Sequence, residues 1–202
     1  VFVHYTNPNG GISATPDAEI SEPAGDAGGF GASVRSAGDT NGDGYTELLV
    51  GASTGSMLYH YDNSNAGLNP GPGSSWPLST GAPSMASVGD INHDGYGDIV
   101  ASGTTGESFF VGLGSEQGVT SLQEISLPAA EAAAPAVDGL SVTSAGDVNA
   151  DGLSDVLVAV PSRGSAFVYQ GTPVGLAPQP ATTMEGTGNF GVSVAAAGDV
   201  NG

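Results

Sequence analysis

The sequence predicts an all-β fold, a β-propeller of four-stranded blades, and three observations carry that prediction. A nine-residue acidic motif recurs along the 202-residue chain at intervals of 51, 57 and 52 residues, and periods near 50 point to propellers or solenoids. Between the motifs the same order of short apolar runs returns each time, each too short and too β-branched for a helix. Turn residues punctuate the runs. The 34 glycines and 13 prolines alone would fit a disordered chain, but recurring apolar runs let neighbouring repeats build a core together.

Taken in order, the chain opens on Val1-Phe2-Val3-His4-Tyr5, a strand-like run followed by the turn Asn7-Pro8-Asn9-Gly10-Gly11. Phe30-Gly31-Ala32-Ser33-Val34-Arg35-Ser36-Ala37-Gly38 then leads into the first acidic motif. Its counterpart before the last motif is Phe190-Gly191-Val192-Ser193-Val194-Ala195-Ala196-Ala197-Gly198. Alternation of small residues reads as a strand, here called A, packed closely on its neighbours. After each motif come Leu48-Leu49-Val50, Ile99-Val100-Ala101 and Val156-Leu157-Val158-Ala159-Val160. Continuous apolar runs of this length fit strands buried on both faces, here B. Strand C follows at Met57-Leu58-Tyr59-His60-Tyr61, Phe109-Phe110-Val111 and Ala166-Phe167-Val168-Tyr169, and Val1–Tyr5 is the same element again. Turn signals and a variable outer segment, D, close each unit. The alanines at 129–134, flanked by Pro128 and Pro135, read as linker. The expected division is a partial blade of C and D strands at 1–29, blades at 30–80, 81–137 and 138–189, and at 190–202 the first strand and truncated loop of a further blade.

The motif itself is a cation loop. Asp39-Thr40-Asn41-Gly42-Asp43-Gly44-Tyr45-Thr46-Glu47 returns as Asp90-Ile91-Asn92-His93-Asp94-Gly95-Tyr96-Gly97-Asp98 and Asp147-Val148-Asn149-Ala150-Asp151-Gly152-Leu153-Ser154-Asp155. A fourth copy, Asp199-Val200-Asn201-Gly202, runs to the last residue of the sequence. Oxygen-bearing side chains stand at positions 1, 3, 5 and 9, with glycine at 6 to make the sharp turn. Position 7 varies (Tyr45, Tyr96, Leu153), as fits a residue that lends only its backbone carbonyl. Six to eight oxygens suit Ca²⁺, whereas Mg²⁺ demands near-octahedral geometry and keeps its waters. The expected ligands are therefore Asp39, Asn41, Asp43, Tyr45 and Glu47; Asp90, Asn92, Asp94, Tyr96 and Asp98; Asp147, Asn149, Asp151, Leu153 and Asp155; and Asp199 with Asn201. That gives three complete Ca²⁺ loops and a fourth, truncated one. An EF-hand is excluded, because it needs a bidentate Glu at position 12 between two helices, and position 12 is Val50, Ala101 and Val158 inside strand-like runs.

Charge narrows the partners. The formal net charge is −19, with 21 acids against two basic residues, Arg35 and Arg163. Ten of the acids lie in the loops, and three divalent ions would bring the charge to −13. So acidic a surface argues against nucleic acid and anionic membranes. Cysteine is absent, so disulfides and thiol chemistry are excluded. No apolar run is long enough for a membrane-spanning helix, and any targeting segment is expected outside the chain. Calcium sites of moderate affinity fill best outside the cell, so a secreted or cell-surface location is expected.

These residues resemble the FG-GAP repeat family, the calcium-binding blades of integrin alpha-subunit propellers. The likeness rests on Phe30-Gly31 and Phe190-Gly191, on the D-x-N-x-D-G-x-x-D loops, and on the small residues after strand B, Gly51-Ala52-Ser53 and Ala159-Val160-Pro161. It spans nearly the whole chain. The Phe-Gly pair is replaced by Gly81-Ala82 and by Asp138-Gly139, and Glu47 stands where Asp is usual. The resemblance implies a ring of seven or eight blades, of which this chain supplies about four, with calcium in each A–B loop. Because the sequence starts in a strand C and stops just after Asp199, it reads as part of a larger propeller or as a segment that another chain or copy completes.

Function follows less directly, since such repeats serve adhesion proteins, a phospholipase and bacterial surface proteins alike. The expectation is an extracellular binding or adhesion module for a protein or glycan, its calcium structural. The alternatives are a scaffold with no ligand of its own and a non-catalytic propeller of a larger secreted enzyme. Trp76, Tyr59, Tyr61 and Tyr169 are candidate contacts, although strand-borne tyrosines better suit packing between blades and only Trp76 is evenly balanced. No catalytic residue is expected: loop carboxylates are committed to metal, and His4, His60 and His93 are scattered, without a Ser-His-Asp arrangement, phosphate loop or zinc motif.

Overall fold

A computed structural model describes residues 1–6, 11–25, 28–54, 56–78, 84–102, 108–128 and 139–198. The turn residues 7–10, the replaced pair Gly81-Ala82, the linker at 129–134, Asp138 and the fourth loop from Asp199 to Gly202 lie outside the described residues.

The described chain is all-β. Strands β1 (Phe2–Val3) and β2 (Ala18–Glu19) form a two-stranded ladder. The first blade is β3 (Phe30–Gly38), β4 (Glu47–Ala52), β5 (Met57–Tyr61) and β6 (Ser74–Pro77), each strand antiparallel to the next. The second is β7 (Met85–Gly89), β8 (Asp98–Ser102), β9 (Ser108–Gly112) and β10 (Gln123–Ser126). The third opens with β11 (Ser141–Gly146), β12 (Asp155–Val160) and β13 (Ser165–Tyr169). A small hairpin, β14 (Gly171–Thr172) and β15 (Gly175–Leu176), intervenes before β16 (Thr182–Glu185) closes the sheet beside β13. A single 3₁₀ turn, Pro161–Arg163, is the sole helical element among the described residues. Strands A to D of the repeat are thus β3 to β6 and β7 to β10, then β11, β12, β13 and β16.

Burial follows the apolar runs. Every residue of β8 is buried, as the continuous run Ile99-Val100-Ala101 leads one to expect of a central strand with packed faces. Alternate residues feed cores on opposite faces of a blade. Leu49 and Leu58 of the first blade pack with Met85, Ile99 and Ala101 of the second. Val50, Tyr59 and Tyr61, from the opposite face, pack with Ile20, Val1 and Val3 beside the first ladder. Val100, Phe109 and Val111 of the second blade meet Val142, Val156, Val158, Phe167 and Tyr169 of the third. Phe109 and Tyr169 meet edge to face across that boundary, ring centroids 5.0 Å apart. The innermost strands lie side by side, β3 against β7 and β7 against β11, so the three loops that leave them share one rim.

One expectation changes. Phe190–Gly198, read as strand A of a further blade, forms turns, bends and irregular backbone with no strand. In each complete blade strand A pairs with the strand B that follows its loop, and no such segment follows Gly198 within the 202 residues. Tyr59, Tyr61 and Tyr169 are buried at 4%, 0% and 0% exposure and serve as core between blades, the role favoured for strand-borne tyrosines over ligand contact. Trp76 is half-buried and lies against the core shared by the first and second blades.

Candidate metal centre

Each acidic motif is the connection from strand A to strand B, closed at its base by a bulge. Gly38, Gly89 and Gly146, the residues before position 1, pair with Glu47, Asp98 and Asp155 at position 9, and the register shifts at each glycine. All three have φ between 75° and 80°, the left-handed bulge conformation that glycine adopts without strain. That pairing brings positions 1 and 9 to the same end of the loop. Position 6 is left-handed as expected, at Gly44, Gly95 and Gly152. Position 4 is left-handed too, at Gly42, His93 and Ala150, a requirement that its mixed residue types conceal.

Within the loop the carboxylates fold the backbone around themselves. Asp39 Oδ1 accepts the amides of Gly42 and Asp43, and Oδ2 accepts that of Gly44. Asp90 accepts Asp94 and Gly95, and Asp147 accepts Asp151 and Gly152, at 2.8–3.1 Å. The position-5 carboxylates accept the amides of Tyr45, Tyr96 and Leu153, fixing position 7. Asn41 and Asn149 turn Oδ1 toward the amides of Asp43 and Asp151. Asn92 and Asn149 also donate Nδ2–H to Asp94 and Asp151 at 2.8 Å, whereas Asn92 Oδ1 is buried without a partner. His93 is an exposed loop residue, and His4 is exposed with Nδ1 2.8 Å from the Ser13 carbonyl.

Position 9 separates the loops. Asp98 accepts the amide of Ile91 on one oxygen and that of Gly114 on the other, at 2.7 and 2.8 Å. Asp155 does the same with Val148 and Gly171. Both carboxyls are fully buried and latch the loop to the chain leaving strand C. Burial pushes Asp98 up to about 6, against the downward pull of the Gly114 and Ile91 amides, with Asp94 and Asp90 adding repulsion. In the first loop the longer Glu47 directs only Oε2 to position 2, accepting Thr40 N–H at 2.6 Å and Thr40 Oγ–H at 3.0 Å. Its Oε1 is buried with no hydrogen-bond partner. Burial raises the pKa of Glu47; the two Thr40 hydrogen bonds oppose the rise, and Asp39 and Asp43 add to it.

Behind Glu47 the first blade carries a polar chain. Thr40 Oγ spends its proton on Glu47, so His60 Nε2, 2.9 Å away, donates to it. His60 is 1% exposed and its pKa is lowered by burial, with Asp62, 3.4 Å from Nδ1, acting in the opposite sense. Asn63 stands at the place of Gly114 and Gly171 and donates to the Thr46 carbonyl.

Asp39, Asp43 and Glu47 bring one carboxylate oxygen each within 4.8 Å of one another. Among the described residues this is the one such gathering. A buried, unpartnered carboxylate oxygen beside two further carboxylates is an all-oxygen donor set of the type hard divalent cations take. The acids of the second and third loops sit on the same backbone frame without that convergence. The sequence reading missed Thr40, His60, Asp62, Gly114 and Gly171. The repeated glycine before each motif, Gly198 included, was a legible signal for the bulge; the polar chain of one blade had none.

Two repeat families match the chain. The FG-GAP-like repeat matches residues 39–101, and the FG-GAP repeat matches residues 139–174. The chain is similar to Integrin alpha-PS5 of Drosophila melanogaster, 33% identical over 162 residues, 72% of this chain and 16% of that protein. It is 30% identical to Integrin alpha-6 of Gallus gallus over 122 residues, 54% of this chain and 11% of that protein. With human Integrin alpha-7 it shares 27% identity over 142 residues, 62% of this chain and 12% of the relative. The chain therefore spans less than a fifth of the length of these curated relatives.

Proposed function

This chain belongs to the FG-GAP repeat, integrin alpha-like family, and on that premise we propose a calcium-stabilised propeller module that acts outside the cell in binding or adhesion. In this reading each of the three A–B loops takes one Ca²⁺ through its positions 1, 3, 5, 7 and 9. The ion's part is structural. It neutralises carboxylates that otherwise repel one another and ties strand A to strand B within a blade. The observation that carries this reading is the gathering of the Asp39, Asp43 and Glu47 carboxylates within 4.8 Å of one another, with Oε1 of Glu47 buried and unpartnered.

A protein ligand is favoured by the adhesion-type relatives, with a glycan as the alternative; the acidic charge disfavours nucleic acid. The burial of Tyr59, Tyr61 and Tyr169 favours a second reading, a scaffold whose partners are neighbouring blades. Val148 at position 2 is 56% exposed, where Thr40 and Ile91 are 0% exposed under the next blade. A further blade, from the same protein or a second copy, would cover it. No catalytic role is proposed, since the buried acids are engaged by backbone amides.

Melting in excess calcium against excess chelator tests the calcium reading. Three sites held at about a hundred times their dissociation constants add several kcal/mol, so chelation is expected to lower Tm by about 10 °C or more. An unchanged melting curve would defeat it. A screen against extracellular-matrix proteins and glycans separates module from scaffold.

A further inference from the structure

The first and second loops are joined by hydrogen bonds that run from the position-9 carboxylate of one to that of the next. Glu47 holds Thr40 through its amide and hydroxyl. The Thr40 carbonyl accepts the amide of Ser115, from the second blade, at 3.0 Å. Ser115 follows Gly114, whose amide is held by Asp98, the position-9 acid of the second loop. A parallel link joins the other ends of the loops, where the Asp39 carbonyl accepts the amide of Gly97 at 2.7 Å. Tyr96 fills the remaining space: a Cβ on Gly42 would stand 3.0 Å from its ring. Among the described residues the second and third loops share the position-1 link alone, the Asp90 carbonyl accepting the Ser154 amide at 3.0 Å. Every bond sits on a residue that is itself a proposed ligand, or is next to one.

We propose that the calcium loops form a series in which each binds more tightly when the following loop is filled, the coupling passing between nearest neighbours. It rests on the calcium reading above. An ion held in the second loop would stiffen Tyr96-Gly97 and, through the Asp98 latch, Gly114-Ser115, and those segments hold Asp39 and Thr40 in place. The first loop then loses less freedom when it binds its own ion. The third loop touches the first nowhere in this series, so its state is felt there only through the second.

Calcium titration followed by amide hydrogen exchange gives a separate midpoint for each loop from peptides covering 39–47, 90–98 and 147–155. In the unmodified chain the first two loops are expected to gain protection together, with a slope steeper than single-site binding. In Asp94→Asn the first-loop midpoint should rise about fivefold or more, the lower end of usual coupling. In Asp151→Asn it should move less than about twofold. Equal shifts in both variants, or a first-loop midpoint unmoved by Asp94→Asn, would overturn the series. Protection of the β4 and β8 amides in chelator checks that each variant is folded, and the slope in the unmodified chain decides the matter if one is not. If no loop gains protection with calcium, the calcium reading fails, and that outcome is distinct from independent sites.

Discussion

The first loop and the two that follow share a backbone and differ in what stands behind it. In the second and third, Asp98 and Asp155 are short enough for both oxygens to be taken by amides, one from position 2 and one from Gly114 or Gly171. Position 2 is apolar there, Ile91 or Val148, and the matching strand-C residue is Val111 or Val168. In the first loop the extra methylene of Glu47 displaces the carboxylate, Asn63 replaces the glycine, and Thr40, backed by His60, gives both its hydrogen bonds to Oε2 and leaves Oε1 without one. One frame therefore carries two kinds of carboxylate, one fully engaged by the fold and one with an oxygen left over. Position 9 is as much a latch between loop and blade as a candidate ligand.

The largest expected effect breaks the latch. A Cβ on Gly114 would fall less than 3 Å from the Gly97 carbonyl, Tyr96 Cβ and the Thr40 carbonyl, all close to the loop backbone. Gly114→Ala should destabilise by about 1–3 kcal/mol, as other overpacking does. Asn63→Ala, at the same place in the first blade, should cost less, and denaturant unfolding of both variants measures the contrast. Equal costs would mean the two kinds of latch are not distinct.

Glu47→Gln sharpens the comparison further. Removing the charge should weaken calcium binding at the first loop about tenfold or more. In chelator the same variant should be no less stable than the parent at pH 7. The sign follows from the raised pKa of Glu47: its ionised form is disfavoured in the fold, so stability falls as pH rises through its titration. A clear loss of Tm in chelator would show instead that the Glu47 charge supports the fold.

His60 gives the opposite sign. Its folded pKa is depressed, so the stability it contributes is present above about pH 6.5, the unfolded value, and is lost as pH falls below it. Replacing it with the valine found in the other blades, His60→Val, should flatten the part of the Tm decline that His60 contributes between pH 7.5 and 5.5. The two profiles, recorded in chelator, would superimpose if His60 played no part.

The smallest effect concerns position 4. Ala150 has φ 59°, where the first loop has Gly42 at 75°. Ala150→Gly should stabilise by about 0.5–1 kcal/mol, less any entropy it returns to the unfolded chain, read as a small rise in Tm. A fall would place the third-loop alanine in contacts that outweigh its backbone strain.

What the sequence determined by itself is what short stretches of chain can enforce. The 50-residue period, the apolar runs of strands B and C, and the oxygen and glycine spacing of the loops were all legible, because each depends on neighbours a few residues away. Gly198 keeps the left-handed bulge conformation, φ 70°, even though residues 190–198 form no strand. Pairing was a different matter. Whether Phe190–Gly198 becomes a strand depends on a partner segment, and whether Val148 is core or surface depends on the next blade. Tyr59, Tyr61 and Tyr169 were expected in the core as strand-borne tyrosines, and the stacked blades put them there. Most of all, the division of the position-9 acids into latched and spare oxygens came from residues 16 positions further along in the same blade. Only the tertiary structure brings those groups within hydrogen-bonding distance, so only it decided which carboxylate kept an oxygen without a hydrogen bond.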